Sequence, residues 1–485
     1  MPLSSPDSTR TIRRRTRRDP KPRFKIDQRH QLDGVKGCPE LLLDGAHPAR
    51  EVWRFVESVD LLSIESEYSS LGRHGHHPRC VLAVWLYASQ IGLHHATKVA
   101  RACATDAAMR FLSGGHPIAA GTLKRFRQKR GALIHTLLTQ TVRIAHEEGL
   151  IVVEELATDS MRLRAHASMH EVGTVKRSKQ RVAELEAVDR VTLSAEKLAI
   201  HDAKLARHRI VLDKCAEQER TNVVLTNEAA ALMKFPSGSA RPGHRITATA
   251  AGLSERIIVS VLVDASTNDD GNLESAVADA RAVLEQAGVP VKGMQLAADA
   301  GFFCATDLDF ASKNRDWVDV LIAEGTSSGE SVEQGRKGFF DRSLFKILDD
   351  GTAICPAQRP MTKPNLMSNG RTSWRGIGCG QCELRSQCTQ DDRRALTADL
   401  NLEKVRNEMR ARMATPGATE RYGQRIATIE PVFSNIEDNM GFRRASSRHP
   451  TTIVAEVLLK VVAHNLLRIS AARRLACVHV PIELT

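Results

Sequence analysis

Apolar residues recur at helical spacing through the first third of the chain and give way to strand-like runs near residue 150. Trp53, Phe55, Val56 and Val59 open an apolar stripe, and Val81, Val84, Trp85 and Ala88 continue it after Pro78, so helices with one buried face are predicted there. Three short helical units follow, near 96–103, near 106–112 and from about Gly121, the last two separated by Gly114, Gly115 and Pro117. Residues 150–158 are rich in β-branched and apolar side chains and predict a strand that delivers Asp159 at its end. Residues 176–220 are densely charged and uninterrupted by Gly or Pro, which reads as a long solvated helix inserted into the fold. Strands resume at 245–251 and 256–263 around a turn at Leu253-Ser254-Glu255, a helix is expected over 273–288, and a strand at 294–298 leads into Asp299.

Strand, hairpin, helix and strand in that order imply a mixed α/β sheet resembling the ribonuclease-H-like fold. At 485 residues the chain exceeds one ordinary hydrophobic core. The expected organisation is a basic disordered arm at 1–30, a helical DNA-binding domain at 31–148, and the first part of the ribonuclease-H-like core at 149–345. A Cys-rich, zinc-ribbon-like insertion at 346–395 and a C-terminal helical part of the core at 396–475 complete it. No stretch approaches the roughly 18 consecutive apolar residues of a membrane span. The arginines near the start are not followed by an apolar segment of signal-peptide type, so a cytoplasmic location is the expectation.

Charge adds a partner to this picture. The net charge is +12, which favours a polyanion such as nucleic acid. Nine basic residues between Arg10 and Lys25 face Asp19 alone, a local excess of eight. Such an arm neutralises phosphates without reading sequence, or is simply a solvated terminus. The unit starting near Gly121 carries Lys124, Arg125, Arg127, Lys129 and Arg130. Basic side chains at a helix start oppose its dipole unless an anion compensates. A helix-turn-helix reading with a basic helix in the major groove therefore stands beside the plainer one, an exposed face of a bundle.

Asp159 and Asp299 each follow an apolar run, where α/β sheets build sites. Either alone is more often a cap or turn residue. Glu430 lies beside Ile429, Phe433 and Ile436, which recur at helical spacing, and Pro431 is acceptable if a helix begins at that point. Three such carboxylates suit Mg²⁺ or Mn²⁺, hard cations that take oxygen ligands and leave positions open for phosphate and water. Cys355, Cys379, Cys382 and Cys388 form a C-x23-C-x2-C-x5-C pattern, the donor set of a structural Zn²⁺ site; the alternative is four reduced thiols used as small hydrophobes. His74, His76, His77 and Cys80 read as a loop and helix start rather than a metal site.

Taken in order, these segments resemble a DDE transposase of the IS1182 family, among the IS4/IS5-like insertion-sequence groups. Thr158-Asp159-Ser-Met-Arg162 is similar to the first-aspartate motif, Ala297-Ala298-Asp299-Ala300-Gly301-Phe302 to the second, and Glu430-Pro431-Val432-Phe433 with Gly441-Phe442-Arg443-Arg444 to the third. Ala463-His-Asn465-Leu466 resembles the closing helix, and His47-Pro48-Ala-Arg50 and Leu86-Tyr87-Ala88 the preceding helical domain. The resemblance implies that Asp159, Asp299 and Glu430 hold metal ions for strand cleavage and transfer. It also implies double-stranded DNA, as terminal inverted repeats and target, for a partner, a homo-oligomer on that DNA, and Tyr422 and Arg425 at substrate phosphates. Three positions depart from the family pattern: Glu437 where a basic residue is usual, Phe302 for a Tyr, and Ala251 for an Asp. The alternative is a catalytically weakened DNA-binding protein derived from a transposase.

Overall fold

Helices form where the 3.6-residue periodicity asks for them. The computed structural model describes residues 23–32, 37–68, 74–324, 339–340, 342–368 and 370–478, and the chain divides into two units, 1–87 with 96–123, and 88–95 with 124–485. The helices of the N-terminal third are α1 (Pro48–Ser58), α2 (Leu62–Glu65), α3 (Pro78–Gln90), α4 (Ala96–Thr105), α5 (Ala107–Leu112) and α6 (Ala120–Lys129). Helix α1 starts on an N-cap, His47, whose ring accepts from the Ala49 amide, with Pro48 at the position where a missing N–H costs nothing. Asp106 caps α5 by accepting from the Met109 amide at 2.8 Å.

Most of the predicted arm, residues 1–22, lies outside the described residues. Of residues 23–30, assigned to it, Arg29 is buried and Phe24 and Lys25 are half-buried, whereas the others are exposed. Phe24 bridges to Gly75 and its ring meets those of Tyr68 and His77. The Arg29 guanidinium is buried 3.4 Å from the Trp53 ring centroid and paired with Asp27 at 2.9 Å. A cation over an aromatic face and an ion pair give this stretch anchors that composition alone does not reveal.

The second unit opens with α7 (Gly131–Glu147) and is built on a mixed sheet of β1 (Leu156–Arg164), β4 (Ala231–Lys234), β5 (Ala240–Ala251), β6 (Ile257–Asp264), β7 (Met294–Ala298) and β8 (Val318–Ile322). Its order is β4-β5-β1-β7-β8, with β6 also on β5. β5 is antiparallel to β1 and β6, whereas β1, β7 and β8 run parallel. Strand β1 begins later than predicted and runs through Asp159, which pairs with Ala248. Its second half alternates buried Met161 and Leu163 with more open residues, the period of a half-buried strand. The charged insertion is a hairpin of α8 (Val175–Glu186) and α9 (Ala195–Glu217) rather than one helix, carried on the short pair β2 (Val172–Thr174) and β3 (Asn222–Val224). Asp189 and Ser194 cap new starts within it, so side-chain caps break the helix without Gly or Pro.

Helix α10 (Leu273–Ala287) ends on Gly288 in the left-handed conformation and packs on β6 with α15 (Pro450–Val478). Asn465 on α15 is fully buried. It accepts from the Ile258 amide at 2.9 Å and donates to the Ile258 carbonyl and to Thr141, satisfying backbone groups of an outer strand where the β5 register shifts. After α11 (Ala305–Lys313) and β8, a small subdomain holds β9 (Lys346–Ile347), β10 (Ala353–Ile354), β11 (Asn365–Leu366), β12 (Thr372–Arg375), α12 (Arg385–Cys388) and β13 (Ala395–Ala398). Phe345, Ile347, Met361, Trp374 and Leu396 are among its own core residues. β13 pairs with β12, which carries this small sheet to residue 398.

Helices α13 (Leu400–Met413) and α14 (Ala418–Ser434) follow, and α14 continues into a π-turn at Asn435–Asn439. Pro431 stands inside α14 rather than at its start. Proline leaves the carbonyl four residues earlier without its helical donor, and Arg256 donates to that Ala427 carbonyl at 2.8 Å. Helix α14 packs on β1 and β5. Among the described residues no helix is long and apolar enough to cross a membrane.

Candidate active site

Parallel pairing of β1 with β7 sets Thr158 opposite Ala298, so the next residue on each strand, Asp159 and Asp299, emerges at neighbouring positions. Adjacent strands lie about 4.8 Å apart, close enough for two carboxylates to share one cation. Thr158 is fully buried and bonds Thr249 at 2.7 Å, fixing β1 just before Asp159. Asp299 leaves the sheet as the cap of a short 3₁₀ turn and accepts from the Gly301 amide at 3.2 Å.

Arg425 of α14 joins the pair. One of its terminal nitrogens meets Asp159 Oδ2 at 2.9 Å and the other meets Asp299 Oδ1 at 3.0 Å. The Arg425 side chain is 8% exposed, and among the described residues its Nε has no hydrogen-bond partner. Burial disfavours its charge, but Asp159 and Asp299 outweigh burial and hold the guanidinium ionised. Burial and then the charge of Asp299 push Asp159 up to about 6, against the Ser160 amide and Arg425, which act to lower it. Arg425 thus stands where a cation bound by both aspartates would stand. Tyr422 lies 5.8 Å from the guanidinium, measured to its ring centroid, with its hydroxyl pushed up by burial.

The aspartates open onto a cleft of about 510 Å³ whose lining also includes Ser160, Arg162, Arg164, Asp269, Glu437 and Arg443. Asp269 accepts from Ser160 and pairs with Arg245, which also holds Asp264. A Cβ on Gly301 would come within 2.6 Å of Asp269 Oδ2, so the glycine lets the second-aspartate turn pass beside this carboxylate. Glu430 is exposed on α14 and is not among the residues lining the cleft. Sequence reasoning named Glu437 only as a departure and did not name Asp269 or Arg245. The acidic run Asn268-Asp269-Asp270 beyond β6 was the available signal, but it has no periodicity to place it.

The other expected residues divide. Lys124, Arg125 and Lys129 are exposed and Arg130 is half-buried. Arg127 is turned inward: it pairs with Glu456 at 2.8 Å, with 6% and 2% of the two side chains exposed, and donates to the His94 carbonyl and Ser446. It is therefore not presented to a DNA backbone. Cys355, Cys379, Cys382 and Cys388 all line one small cavity of about 20 Å³. The Cys388 thiol is pushed up by burial and by the other three cysteines, against Arg394. A Cβ on Gly376 would sit 2.4 Å from the Cys379 sulfur. His76, His77 and Cys80 line a separate cavity, where burial holds the His76 ring down at about 4. Among the described residues no group of three or more His, Cys, Asp or Glu side chains is arranged to hold a metal ion as it stands.

A mixed α/β chain with a helical N-terminal region and a carboxylate cleft is thus defined, and comparison gives it a family context. Residues 354–470 match a family model described as "Transposase DDE domain", and residues 39–129 match one described as "Transposase domain (DUF772)". Both are transposase domains, a combination typical of IS1182-family transposases, so these two stretches of the chain are similar to transposases. The first match spans Arg425, Glu430, Glu437 and the four cysteines but not Asp159 or Asp299; the second spans α1 to α6. No curated protein and no solved structure matches the chain.

Proposed function

We propose that the chain binds the ends of an insertion sequence and catalyses metal-dependent DNA strand cleavage and strand transfer, with Asp159 and Asp299 as metal ligands. The observation that carries this reading is the single guanidinium shared by two aspartates at the mouth of an open cleft. The strand order β6-β5-β1-β7-β8, with three antiparallel strands followed by two parallel ones, supports a ribonuclease-H-like core.

Mg²⁺ or Mn²⁺ fits the donor set, since both aspartates offer hard oxygens and a cationic group already occupies the space between them. When bound, the ion supplies Lewis-acid activation of the attacking oxygen and neutralises charge at the phosphate. Asp159 and Asp299 hold that charge, and Glu430 is the third ligand by its motif. Arg425, with Tyr422 beside it, would be free to meet a substrate phosphate once an ion took its position between the aspartates. Lys124, Arg125, Lys129 and Arg130 are proposed to contact the backbone of double-stranded DNA, on which the protein assembles as a homo-oligomer. The four cysteines are read as a structural Zn²⁺ site that secures a subdomain too small to rely on its core.

Placement of Glu430 outside the cleft lining favours a second reading, a DNA-binding protein with weakened catalysis. Duplexes ending in the inverted repeats that bracket the coding region, incubated with protein and Mg²⁺, decide between the two. Nicks leaving 3′-hydroxyls, absent from Asp159→Asn and Asp299→Asn although both still bind, support the transposase. Binding without nicking by the unaltered protein supports the second reading.

A further inference from the structure

We infer that the hairpin of β11 and β12 is a second contact for double-stranded DNA, meeting the phosphate backbone through Lys363, Arg371 and Arg375. The inference adds a site to the one proposed on α6, and it rests on the reading that the chain binds DNA. The 23 residues between Cys355 and Cys379 hold four cations and no carboxylate, although the whole chain carries 57 carboxylates in 485 residues. Those four, Arg359 and the three named, are all exposed. Exposed arginines elsewhere are answered by acids, Arg190 by Asp202 and Arg209 by Glu186. Among the described residues, Lys363 and Arg375 form no ion pair.

Strand geometry collects this charge on one side. β12 buries Thr372 and Trp374 and leaves Ser373 and Arg375 more open, so Arg371, Ser373 and Arg375 project from its outer face at steps of about 6.6 Å. Beside them on β13 stand Thr397, paired with Ser373, and Ala395, paired with Arg375, side chains too short to screen the arginines. The Thr362 amide donates to the Arg375 carbonyl at 2.9 Å and the Arg375 amide to the Thr362 hydroxyl, which holds the chain just before Lys363 alongside Arg375. Lys363 and Pro364 also blunt the β11 edge against another strand, but the two arginines lie on the face, where that role does not reach. At the tip Leu366 is 74% exposed and Met367 39%. Duplex DNA fits both features, since it offers phosphates to the cations and groove walls that accept Leu or Met. An acidic peptide would leave the apolar tip unexplained. Cys355 and Cys379, at the two ends of the arm, line one cavity, so both ends start from one point of the subdomain.

The test measures binding of the full chain to a fluorescently labelled duplex by anisotropy across a range of KCl concentrations. Replacing Lys363, Arg371 and Arg375 together by Gln should lower the slope of log K against log salt by about three, close to one per phosphate released, and weaken binding roughly tenfold or more. Arg375→Gln alone should lower it by about one, which keeps the test open if the triple variant fails to fold. Arg371→Lys with Arg375→Lys should keep the slope, because a phosphate contact needs the charge. Unfolding curves should coincide for all variants, their altered side chains being exposed. An unchanged slope in the triple variant, while Lys124→Gln lowers it, overturns the inference and leaves DNA binding standing. An unchanged slope with a smaller sedimentation coefficient also overturns it and gives the face to a second copy of the chain. Absence of salt-dependent DNA binding by the unaltered chain defeats the underlying reading instead.

Discussion

Replacing Arg425 by Gln removes the cation that lies between Asp159 and Asp299 and leaves two carboxylates facing each other. Breaking a buried ion pair by deleting one partner costs about 3–5 kcal/mol. Arg425 is 8% exposed and Asp159 18%, but Asp299 is 35% exposed, so water recovers part of the loss and about 2–4 kcal/mol is expected here. Urea unfolding in chelator-treated buffer at pH 7 measures it. A divalent ion that replaces the guanidinium should close much of the gap, since a ligand at 100 times its Kd adds about 2.7 kcal/mol. Without Arg425 as competitor, the variant should bind Mn²⁺ more tightly than the unaltered chain. A loss below about 0.5 kcal/mol without metal, or an undiminished gap at saturating Mn²⁺, refutes the claim that the aspartates form a cation site.

His464 is buried, and burial holds its ring down at about 4 from 6.5. Between these values the unfolded chain takes up a proton that the folded chain refuses, so stability is full above pH 6.5 and falls as pH drops towards 4. At about 1.4 kcal/mol per pH unit the loss is roughly 3 kcal/mol; His464→Gln should flatten this part of the pH-stability profile, and an unchanged slope would count against the assignment. Arg127→Met should destabilise the chain by about 3–5 kcal/mol through the orphaned Glu456 while leaving the salt dependence of DNA binding as it was. Lys124→Gln or Lys129→Gln should do the reverse, lowering the slope of log K against log salt by about one per residue with stability unchanged.

Where side chains obey a period, the sequence revealed the structure closely. β7 and α10 fall where the apolar runs put them, and Gly288 closes α10 as a C-terminal cap should. The juxtaposition of Asp159 and Asp299 was legible as two strand-borne carboxylates, although Asp159 lies within its strand because β5 pairs with β1 as far as Arg164. The Pro431 position was misjudged because its tolerance depends on Arg256, 175 residues away, serving the carbonyl that proline abandons. Arg127 looked like its basic neighbours in sequence, and only tertiary pairing with Glu456 distinguishes it. Glu437 was hidden for a similar reason: a π-turn has no periodic signature, so helical phase cannot say which glutamate reaches the cleft.

Metal-specificity rescue at the first aspartate tests the central claim most directly. A thiolate favours softer cations than a carboxylate does, so Asp159→Cys should lose strand cleavage in Mg²⁺ and regain a substantial part of it when Mn²⁺ is supplied, with DNA affinity the same in both. Cleavage by Asp159→Cys at the unaltered rate in Mg²⁺, or equal loss with either ion, would contradict a catalytic cation held at Asp159.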